Sequence, residues 1–221
     1  SSLLPEKNFS EKYEGYDFSS SSVRVNSVLT YNEYLEDYSN ATNAKSTVDI
    51  DIFDFDEESS FGTRQELNYR GKDVVITEED SSVTWYFDVE ESGFYNISME
   101  YIAVPSRNVN MERILYINGE VPFSGADILS FSRLWRDSGE VRKDNQGNVI
   151  RPSQVEFFEY QKVLFKSDLG YEVRPYCFYF ESGENSITLE STNEPMAISH
   201  LSLVPILSYD SYEQYLAKQP S

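Results

Sequence analysis

One tryptophan of this 221-residue chain stands between two arginines, in a stretch that has neither a strand-like nor a helix-like hydrophobic period. An aromatic face suits the apolar side of a sugar ring, and planar polar groups suit its hydroxyls. Arginine offers planar, bidentate hydrogen bonding of that kind. These residue types predict a ligand-binding surface, whose candidate residues are Trp135, Arg107, Asn108, Asn110, Arg133, Arg136, Arg142, Asp144, Asn145 and Arg151.

The distribution of charge marks the same part of the chain. The formal net charge is −20, yet residues 105–175 contain ten acidic and ten basic residues, so the whole excess lies outside that window. Seven of the ten basic residues there are arginines. Such arginines either contact a ligand or form buried ion pairs that hold a scaffold together, and both interpretations stay open. For Trp135 the alternative is a side chain that pins a long loop onto the domain.

Residue types that carry nucleophilic chemistry are scarce. Cys177 is the only cysteine, which excludes an internal disulfide and a cysteine-based metal site, and its aromatic neighbours indicate a small core residue. His200 is the only histidine and lies in a strand-like segment without the nucleophile pattern of a triad. A glycosidase needs two converging carboxylates, and 38 acidic residues single out no pair. We therefore assign no catalytic residue and expect no enzymatic activity.

A run of acidic residues offers the oxygen ligands that calcium prefers. The run lacks the glycine that an EF-hand loop carries at its sixth position, so a solvated acidic strand face is the alternative. A structural calcium ion stays open, no metal ligand is assigned, and no other cofactor is expected. The acidic residues are Asp49, Asp51, Asp54, Asp56, Glu57 and Glu58.

The net charge of −20 disfavours two classes of partner. Nucleic acids and anionic membrane surfaces repel an acidic chain through its long-range field. No apolar run approaches the roughly 20 residues that a membrane-spanning helix needs. We therefore expect neither nucleic-acid binding nor direct insertion into a membrane.

The middle of the chain alternates apolar and polar residues with the period of two that half-buried strands show. Val83, Trp85 and Phe87 form one such row, which places Trp85 in the core. Turn signals such as Asn118-Gly119 separate the rows. Eight short strands with no long helix between them predict an all-β fold, an antiparallel β-sandwich with short flanking helices. These strands begin near residues 48, 83, 95, 114, 161, 176, 186 and 198.

The segments around this region are polar and contain spaced tyrosines. Thr30 followed by Glu33 fits a capping box, which predicts a short helix over Tyr31–Tyr38, and a similar pattern predicts another over Tyr209–Leu216. We divide the chain into a polar N-terminal segment with one helix at 1–45, a β-sandwich at 46–207, and a C-terminal helical arm or linker at 208–221. We call residues 123–160 the excursion. It is longer than a loop that only connects two strands, so we expect it to contain a functional site or to support one.

Three segments, in chain order, resemble motifs of carbohydrate-binding module families 6 and 35. Val83–Tyr101 is similar to their central hairpin, Gly183–Leu189 to a later strand and Ile198–Leu203 to the last strand. The resemblance implies a galactose-binding-like jelly roll that binds an oligo- or polysaccharide. The stretch Arg142–Pro152 looks like a subgroup attached to extracellular solute-binding proteins of sugar ABC transporters. It implies an extracellular protein at the surface of a Gram-positive bacterium, with other domains of a parent protein as partners.

The chain departs from those families in its last strand. An aspartate there usually ligates a structural calcium ion, shortly after a loop asparagine that touches sugar, and the alignment places Ser199 and Ala197 at these positions. Two functions therefore stay open. One is a non-catalytic carbohydrate-binding module that serves glycan capture or uptake. The other is a structural or protein-interaction domain of an extracellular solute-binding protein that has lost sugar binding.

Overall fold

A computed structural model describes residues 28–206 and Ala217, so the helix predicted at Tyr209–Leu216 lies outside the described residues. Residues 28–206 form one helix and fourteen strands, and the ladders between these strands are all antiparallel. The predicted all-β, antiparallel sandwich is confirmed. The elements are α1 (Tyr31–Asp37), β1 (Val48–Ile50), β2 (Phe61–Tyr69), β3 (Lys72–Val89), β4 (Gly93–Ala103), β5 (Met111–Ile117), β6 (Leu129–Phe131), β7 (Leu134–Asp137), β8 (Arg142–Lys143), β9 (Val149–Ile150), β10 (Gln154–Phe157), β11 (Gln161–Leu164), β12 (Phe178–Phe180), β13 (Gly183–Ser191) and β14 (Met196–Val204).

Strand β3 belongs to both layers of the sandwich. Its first half pairs with β2 and β14, whereas its second half pairs with β13. One layer places β4 between β11 and β14, and the other continues from β13 to β5 and β6. Side chains of both layers share one buried cluster, in which Met99 of β4 and Trp85 of β3 are fully buried. The sheet therefore curls until its two halves face each other.

Two local predictions are confirmed inside this sandwich. Trp85 lies in the core, and its indole N–H donates to the backbone carbonyl of Ile52 at 2.9 Å, which satisfies the buried donor. Asn118 and Gly119 have φ angles of +51° and +83° and connect paired residues Ile117 and Glu120. Positive φ at both central residues is the geometry of a tight hairpin turn, and asparagine and glycine adopt it at low cost.

The excursion at 123–160 forms a β-hairpin at its centre, which the sequence pattern did not reveal. Strand β7 pairs with β10, and farther out β8 pairs with β9. We call residues 134–157 the arm and its outer part, residues 141–151, the tip. Most side chains of the arm are exposed, so its strands lack the alternation of apolar residues that marks a half-buried strand. Strand β2 was missed for the same reason, since it is an exposed strand without a buried residue.

The helix α1 covers the edge of β12 through the hydroxyls of two tyrosines. Thr30 caps the helix by accepting a hydrogen bond from the backbone N–H of Glu33 at 3.2 Å, as the capping pattern predicted. The hydroxyl oxygen of Tyr34 accepts from the N–H of Tyr179 at 2.7 Å, and Tyr31 accepts from the N–H of Cys177 at 2.9 Å. The helix therefore satisfies backbone donors of an otherwise open strand edge.

Residues that we assigned to the N-terminal segment contribute to the core of the sandwich. Tyr34 and Ala44 are buried in the same cluster as the strands. Tyr34 packs on Phe123 and Tyr38, with ring centroids 5.0 Å and 5.1 Å away. The described part before β1 is thus packed on the sandwich.

Replacing Tyr34 by phenylalanine leaves the N–H of Tyr179 without its acceptor. We expect Tyr34→Phe to lower the free energy of unfolding by about 1–3 kcal/mol, the cost of an unsatisfied buried donor. Urea denaturation measures this loss. The matched control is Tyr86→Phe, because Tyr86 is exposed and its hydroxyl bonds no described residue. An equal effect of both substitutions would contradict the role of the Tyr34 hydroxyl.

Candidate functional site

Arg133 joins three segments of the chain at one end of the sandwich. Its side chain is 0% exposed, and its guanidinium contacts Glu194 at 2.8 Å and Glu156 at 2.8 Å. It also donates to the backbone carbonyls of Val104 and Val109. The loop before β5, the loop before β14 and the root of the arm are therefore held by one buried cation. We call the surface formed by residues 104–110, 192–195 and 133–136 the loop end.

Arg107 extends this network to the protein surface. Its Nε donates to Glu194 at 3.2 Å, and its Nη2 donates to Glu79 and to the backbone carbonyl of Asn193. The Arg107 side chain is 62% exposed, whereas that of Glu194 is 0% exposed. Alternating charges thus run from the solvent-exposed Glu79 through Arg107 and Glu194 to the buried Arg133.

Two asparagines complete the bracing of the loop before β5. The side chain of Asn193 donates to the backbone carbonyl of Asn110 at 2.9 Å and accepts from the N–H of Glu112 at 3.0 Å. The side chain of Asn110 accepts from the N–H of Arg133 at 3.4 Å. Asn108 is exposed in this loop at a φ of +65°, a region that asparagine tolerates better than most residues. The loop is therefore rigidly supported and presents Asn108 to solvent.

Arg113 lies behind the network at a core-facing position of β5. It is 1% exposed, and its Nη2 donates to the hydroxyl of Thr77 at 3.0 Å while Nη1 donates to the carbonyl of Glu112 at 2.9 Å. Its Nε is buried without a hydrogen-bond partner among the described residues. Burial lowers the pKa of the guanidinium to about 9, and the charge of Glu194 partly opposes this shift. Arg113 therefore supports the loop end from the core of the sandwich.

Trp135 and Arg136 lie on opposite faces of the arm. Trp135 is 41% exposed and stands opposite Glu156 in the ladder, so these two side chains share one face. Arg136 lies on the other face, where its guanidinium is 5.7 Å from the ring centroid of Phe157. Trp135 therefore lies on the same face of the arm as Glu156, the partner of Arg133, whereas Arg136 lies on the opposite face.

The ten candidate residues separate into two groups. Trp135, Arg133 and Arg136 lie at the root of the arm with the loop that contains Arg107, Asn108 and Asn110, whereas Arg142, Asp144, Asn145 and Arg151 lie at the tip. Six residues lie between Trp135 and Arg142, and a chain of that length spans up to roughly 20 Å when it is extended. A single compact ligand contact with both groups is therefore not supported by the arrangement.

Two candidates have their polar groups engaged within the protein. Arg133 is buried and donates to carboxylates and carbonyls, so it leaves the set of ligand contacts and acts as a scaffold. The carboxylate of Asp144 accepts from the side chain and backbone of Asn148 and from the backbone of Gln146, and the side-chain bond contributes most to its lowered pKa. Asp144 therefore shapes the turn of the tip.

The acidic partners of these arginines were missed by sequence reasoning. Glu79, Glu156 and Glu194 carry no local signal, since each lies far along the chain from the arginine that it contacts. The neighbouring residues Glu112 and Arg113 could have formed an ion pair, but the guanidinium of Arg113 contacts the backbone carbonyl of Glu112 instead. The charge pairs of the loop end therefore depend on tertiary contacts and not on neighbours in sequence.

The acidic run, for which both a calcium site and a solvated strand face stayed open, makes local contacts in the structure. Among residues 28–206, no group of three or more histidine, cysteine, aspartate or glutamate side chains is placed to hold a metal ion. Asp51 accepts from the N–H of Phe53 at 3.0 Å, and Asp56 accepts from Ser59. The acidic run thus includes local turn contacts, in a segment whose Ile50 and Ile52 are buried in the core.

The last strand has its own polar contact where the resemblance places a calcium ligand. The hydroxyl of Ser199 donates to Glu100 at 2.8 Å, and the ammonium of Lys72 donates to the same carboxylate at 2.6 Å. Ala197 is fully buried and offers no polar side chain.

None of the described helices is long and apolar enough to cross a membrane.

No protein-family model and no curated protein matches the chain. Among solved structures, the GH26-CBM35 β-(1,4)-mannanase of Podospora anserina is similar at 14% identity and a TM-score of 0.43, over 75% of this chain and 29% of the mannanase chain. A family 35 carbohydrate-binding module from Clostridium thermocellum is similar at 13% identity and a TM-score of 0.39, over 72% of this chain and 97% of the module.

The C-terminal CBM6 of a marine laminarinase from Zobellia galactanivorans is similar at 15% identity and a TM-score of 0.41, over 72% of this chain and 99% of that chain. Families 6 and 35 are those that the sequence motifs resemble. This chain spans less than a third of the mannanase, and at these identities the likeness does not extend to function.

Removing the charge of Arg133 leaves the buried carboxylate of Glu156 without a cation and leaves Glu194 with Arg107 alone. We expect Arg133→Met to lower the free energy of unfolding by about 3–5 kcal/mol, because a broken buried pair exposes the remaining charge to a poorly solvating interior. Arg136→Met is the matched control at an exposed site, with an expected change within about 0.5 kcal/mol. Guanidinium denaturation of both variants tests the difference. Equal stabilities would contradict the scaffold role.

Glu194 makes the stability of the loop end depend on acid pH. Burial alone raises the pKa of its carboxyl, but hydrogen bonds from Ser106 and from the N–H of Arg107, with the charge of Arg133, lower it below the ordinary 4.5. A carboxyl whose pKa is lower in the folded state than in the unfolded state stabilises the fold at pH values above its unfolded-state pKa. This stabilisation is lost as the pH falls through the folded-state pKa.

We therefore expect the stability difference between the wild type and Glu194→Gln to be largest at neutral pH and to shrink below about pH 4.5. Urea denaturation at a series of pH values measures it. A difference that stayed constant down to the acid limit of folding would show that the charge of Glu194 is unimportant.

Proposed function

We propose that the chain is a non-catalytic carbohydrate-binding module whose sugar contact lies at the loop end, around Trp135. The observation that carries the proposal is a partly exposed indole on a strand whose root is fixed by the buried Arg133. A rigidly held aromatic face stacks on a sugar ring without first losing conformational freedom. Trp135 therefore combines the two properties that sugar stacking requires, exposure and support.

Polar groups for the sugar hydroxyls come from the loop before β5. Asn108 is exposed, and the Nη1 of Arg107 bonds no acceptor among the described residues, while its Nε and Nη2 hold the side chain in place. A fixed guanidinium edge and an amide give directional hydrogen bonds. These groups support recognition of hydroxyls, and recognition of a carboxylate where the sugar is acidic.

The carboxylates of the loop end favour binding without catalysis. A glycosidase requires two carboxyl groups that are free to act as acid and as base or nucleophile. Glu156, which stands opposite Trp135 in the ladder, and Glu194 have buried side chains, and both are paired with Arg133. This engagement supports a non-enzymatic role.

The biological setting belongs to the proposal as well. We propose a secreted or surface-anchored bacterial protein in which the module serves glycan capture or uptake, outside the cell of a Gram-positive bacterium. The support is the resemblance of Arg142–Pro152 to modules attached to solute-binding proteins of sugar ABC transporters. Other domains of such a parent protein are the proposed partners.

A second candidate function is a structural or protein-interaction domain that has lost sugar binding. The polar network of Ser199, Glu100 and Lys72 and the buried Ala197 favour it, because they replace the calcium and sugar ligands that the resemblance implies. The two candidates differ in whether the loop end binds any glycan.

A glycan array with the whole chain, followed by calorimetric titration of the best ligand, tests the proposal. We expect Trp135→Ala to weaken binding by about 1–3 kcal/mol, the scale of burying one large apolar side chain, without a change in melting temperature. Trp135→Phe keeps an aromatic face and loses less. Val155→Ala, an exposed site on the other face of the arm, is the control and leaves binding unchanged.

Salt separates two classes of sugar. Binding of an acidic sugar weakens as the salt concentration rises, because the contact with Arg107 is charge-assisted, whereas binding of a neutral sugar changes little. If Trp135→Ala melts far below the wild type and neither protein binds a glycan, Trp135 is a structural residue and the second candidate function holds.

A further inference from the structure

The tip of the arm combines exposed apolar and basic side chains. Val141, Val149 and Ile150 are 62%, 60% and 52% exposed. Beside them lie three exposed cations, and within residues 28–206 no carboxylate pairs with any of them. These cations are Arg142, Lys143 and Arg151.

Such a surface is unusual on a chain with a net charge of −20. The only acidic residue among 141–151 is Asp144, and its carboxylate is occupied by the turn. The tip is therefore positively charged, whereas the chain as a whole has a net charge of −20. Exposed apolar residues rimmed by charge are typical of protein interaction sites.

A groove on the same molecule has the complementary chemistry. It lies between α1, the connection from β5 to β6 and the connection from β12 to β13, and it has a volume of about 1010 Å³. Its lining residues contain four exposed carboxylates and no lysine or arginine. No ion pair within the described part of the chain engages these carboxylates, which belong to Asp37, Glu120, Glu181 and Glu184.

Tyrosines form the aromatic part of this groove. Tyr38 stacks on Tyr179 with ring centroids 4.3 Å apart and an angle of 19° between the planes, and Tyr116 lies in the same lining. Burial is the main cause of the raised pKa of the Tyr38 phenol, followed by the neighbouring phenol of Tyr179 and then by the charges of nearby carboxylates. The four carboxylates and the tyrosines thus line the same groove.

We propose that the tip of one copy binds in the tyrosine-lined acidic groove of a second copy. Arginine and lysine side chains pair with carboxylates and place their cations over tyrosine faces, and the aliphatic residues of the tip cover the rings. The three cations of the tip face four carboxylates, so the contact offsets part of the charge repulsion between copies. The partner is a second copy because the chain itself carries both complementary surfaces.

The geometry of this contact determines what the assembly is. The tip and the groove are different surfaces, so the contact is heterologous and joins copies head to tail into rings or short filaments. A hairpin tip buries less than the roughly 1,200 Å² of a standard interface, so the association is weak. The contact leaves Trp135 and the loop end free, and it is therefore independent of the proposed sugar binding.

Sedimentation velocity of the whole chain, from micromolar to millimolar concentration and at several salt concentrations, measures the association. We expect the mean mass to rise with concentration and to fall as salt is added. A protein that stays monomeric at every concentration and at low salt overturns the proposal.

Two charge-reversed variants identify the surfaces. The tip variant is Arg142→Glu/Lys143→Glu/Arg151→Glu, and the groove variant is Glu120→Lys/Glu181→Lys/Glu184→Lys. We expect each to be monomeric alone, because its tip and groove then carry the same charge. A mixture of the two restores association, because each tip then faces a groove of opposite charge.

The control variant Asp54→Lys/Glu57→Lys/Glu58→Lys changes the net charge by the same amount as the groove variant, at exposed sites outside both surfaces. It keeps the association. Unchanged melting temperatures establish that all variants fold. If the groove variant still associates, the tip binds at another surface. If the mixture stays monomeric, the tip and the groove are not held together by opposite charges. Either result overturns the proposal.

Discussion

The buried guanidinium of Arg133 is neutralised from two sides by carboxylates that belong to different segments of the chain. A cation at that depth is stable only while both partners remain in place, so the contact holds Glu156 of the arm and Glu194 of a loop together. The positions of Arg107, Asn110 and Trp135 follow from it. The shape of the loop end therefore depends on an electrostatic constraint more than on apolar packing.

The sandwich beneath the loop end controls its open edges with polar side chains. Tyr31 and Tyr34 of α1 accept from backbone N–H groups beside β12, and this docks the helix onto the strand. Unpaired strand edges are sites of aggregation, so a helix that covers one contributes to solubility as well as to stability. The same helix forms one wall of the acidic groove, which links the stability of this edge to the presence of the groove.

The proposed functions use three surfaces that consist of different residues. The loop end presents a supported indole, the tip presents cations and aliphatic residues, and the groove presents carboxylates and tyrosines. A sugar at the loop end and a second copy at the tip do not compete for residues. In the proposed assembly several loop ends lie together, and such multivalency raises the effective affinity for a polysaccharide with repeated sugars.

The sequence alone determined the features that depend on neighbouring residues: the alternating strands, the core position of Trp85, the turn at Asn118-Gly119 and the cap at Thr30. Each follows from a local period or a local φ requirement. The tertiary structure alone decided that Arg133 is a scaffold, since its partners Glu156 and Glu194 lie 23 and 61 residues away. It also divided one predicted site between the loop end and the tip, because the exposed strands of the arm leave no hydrophobic period from which to predict a hairpin.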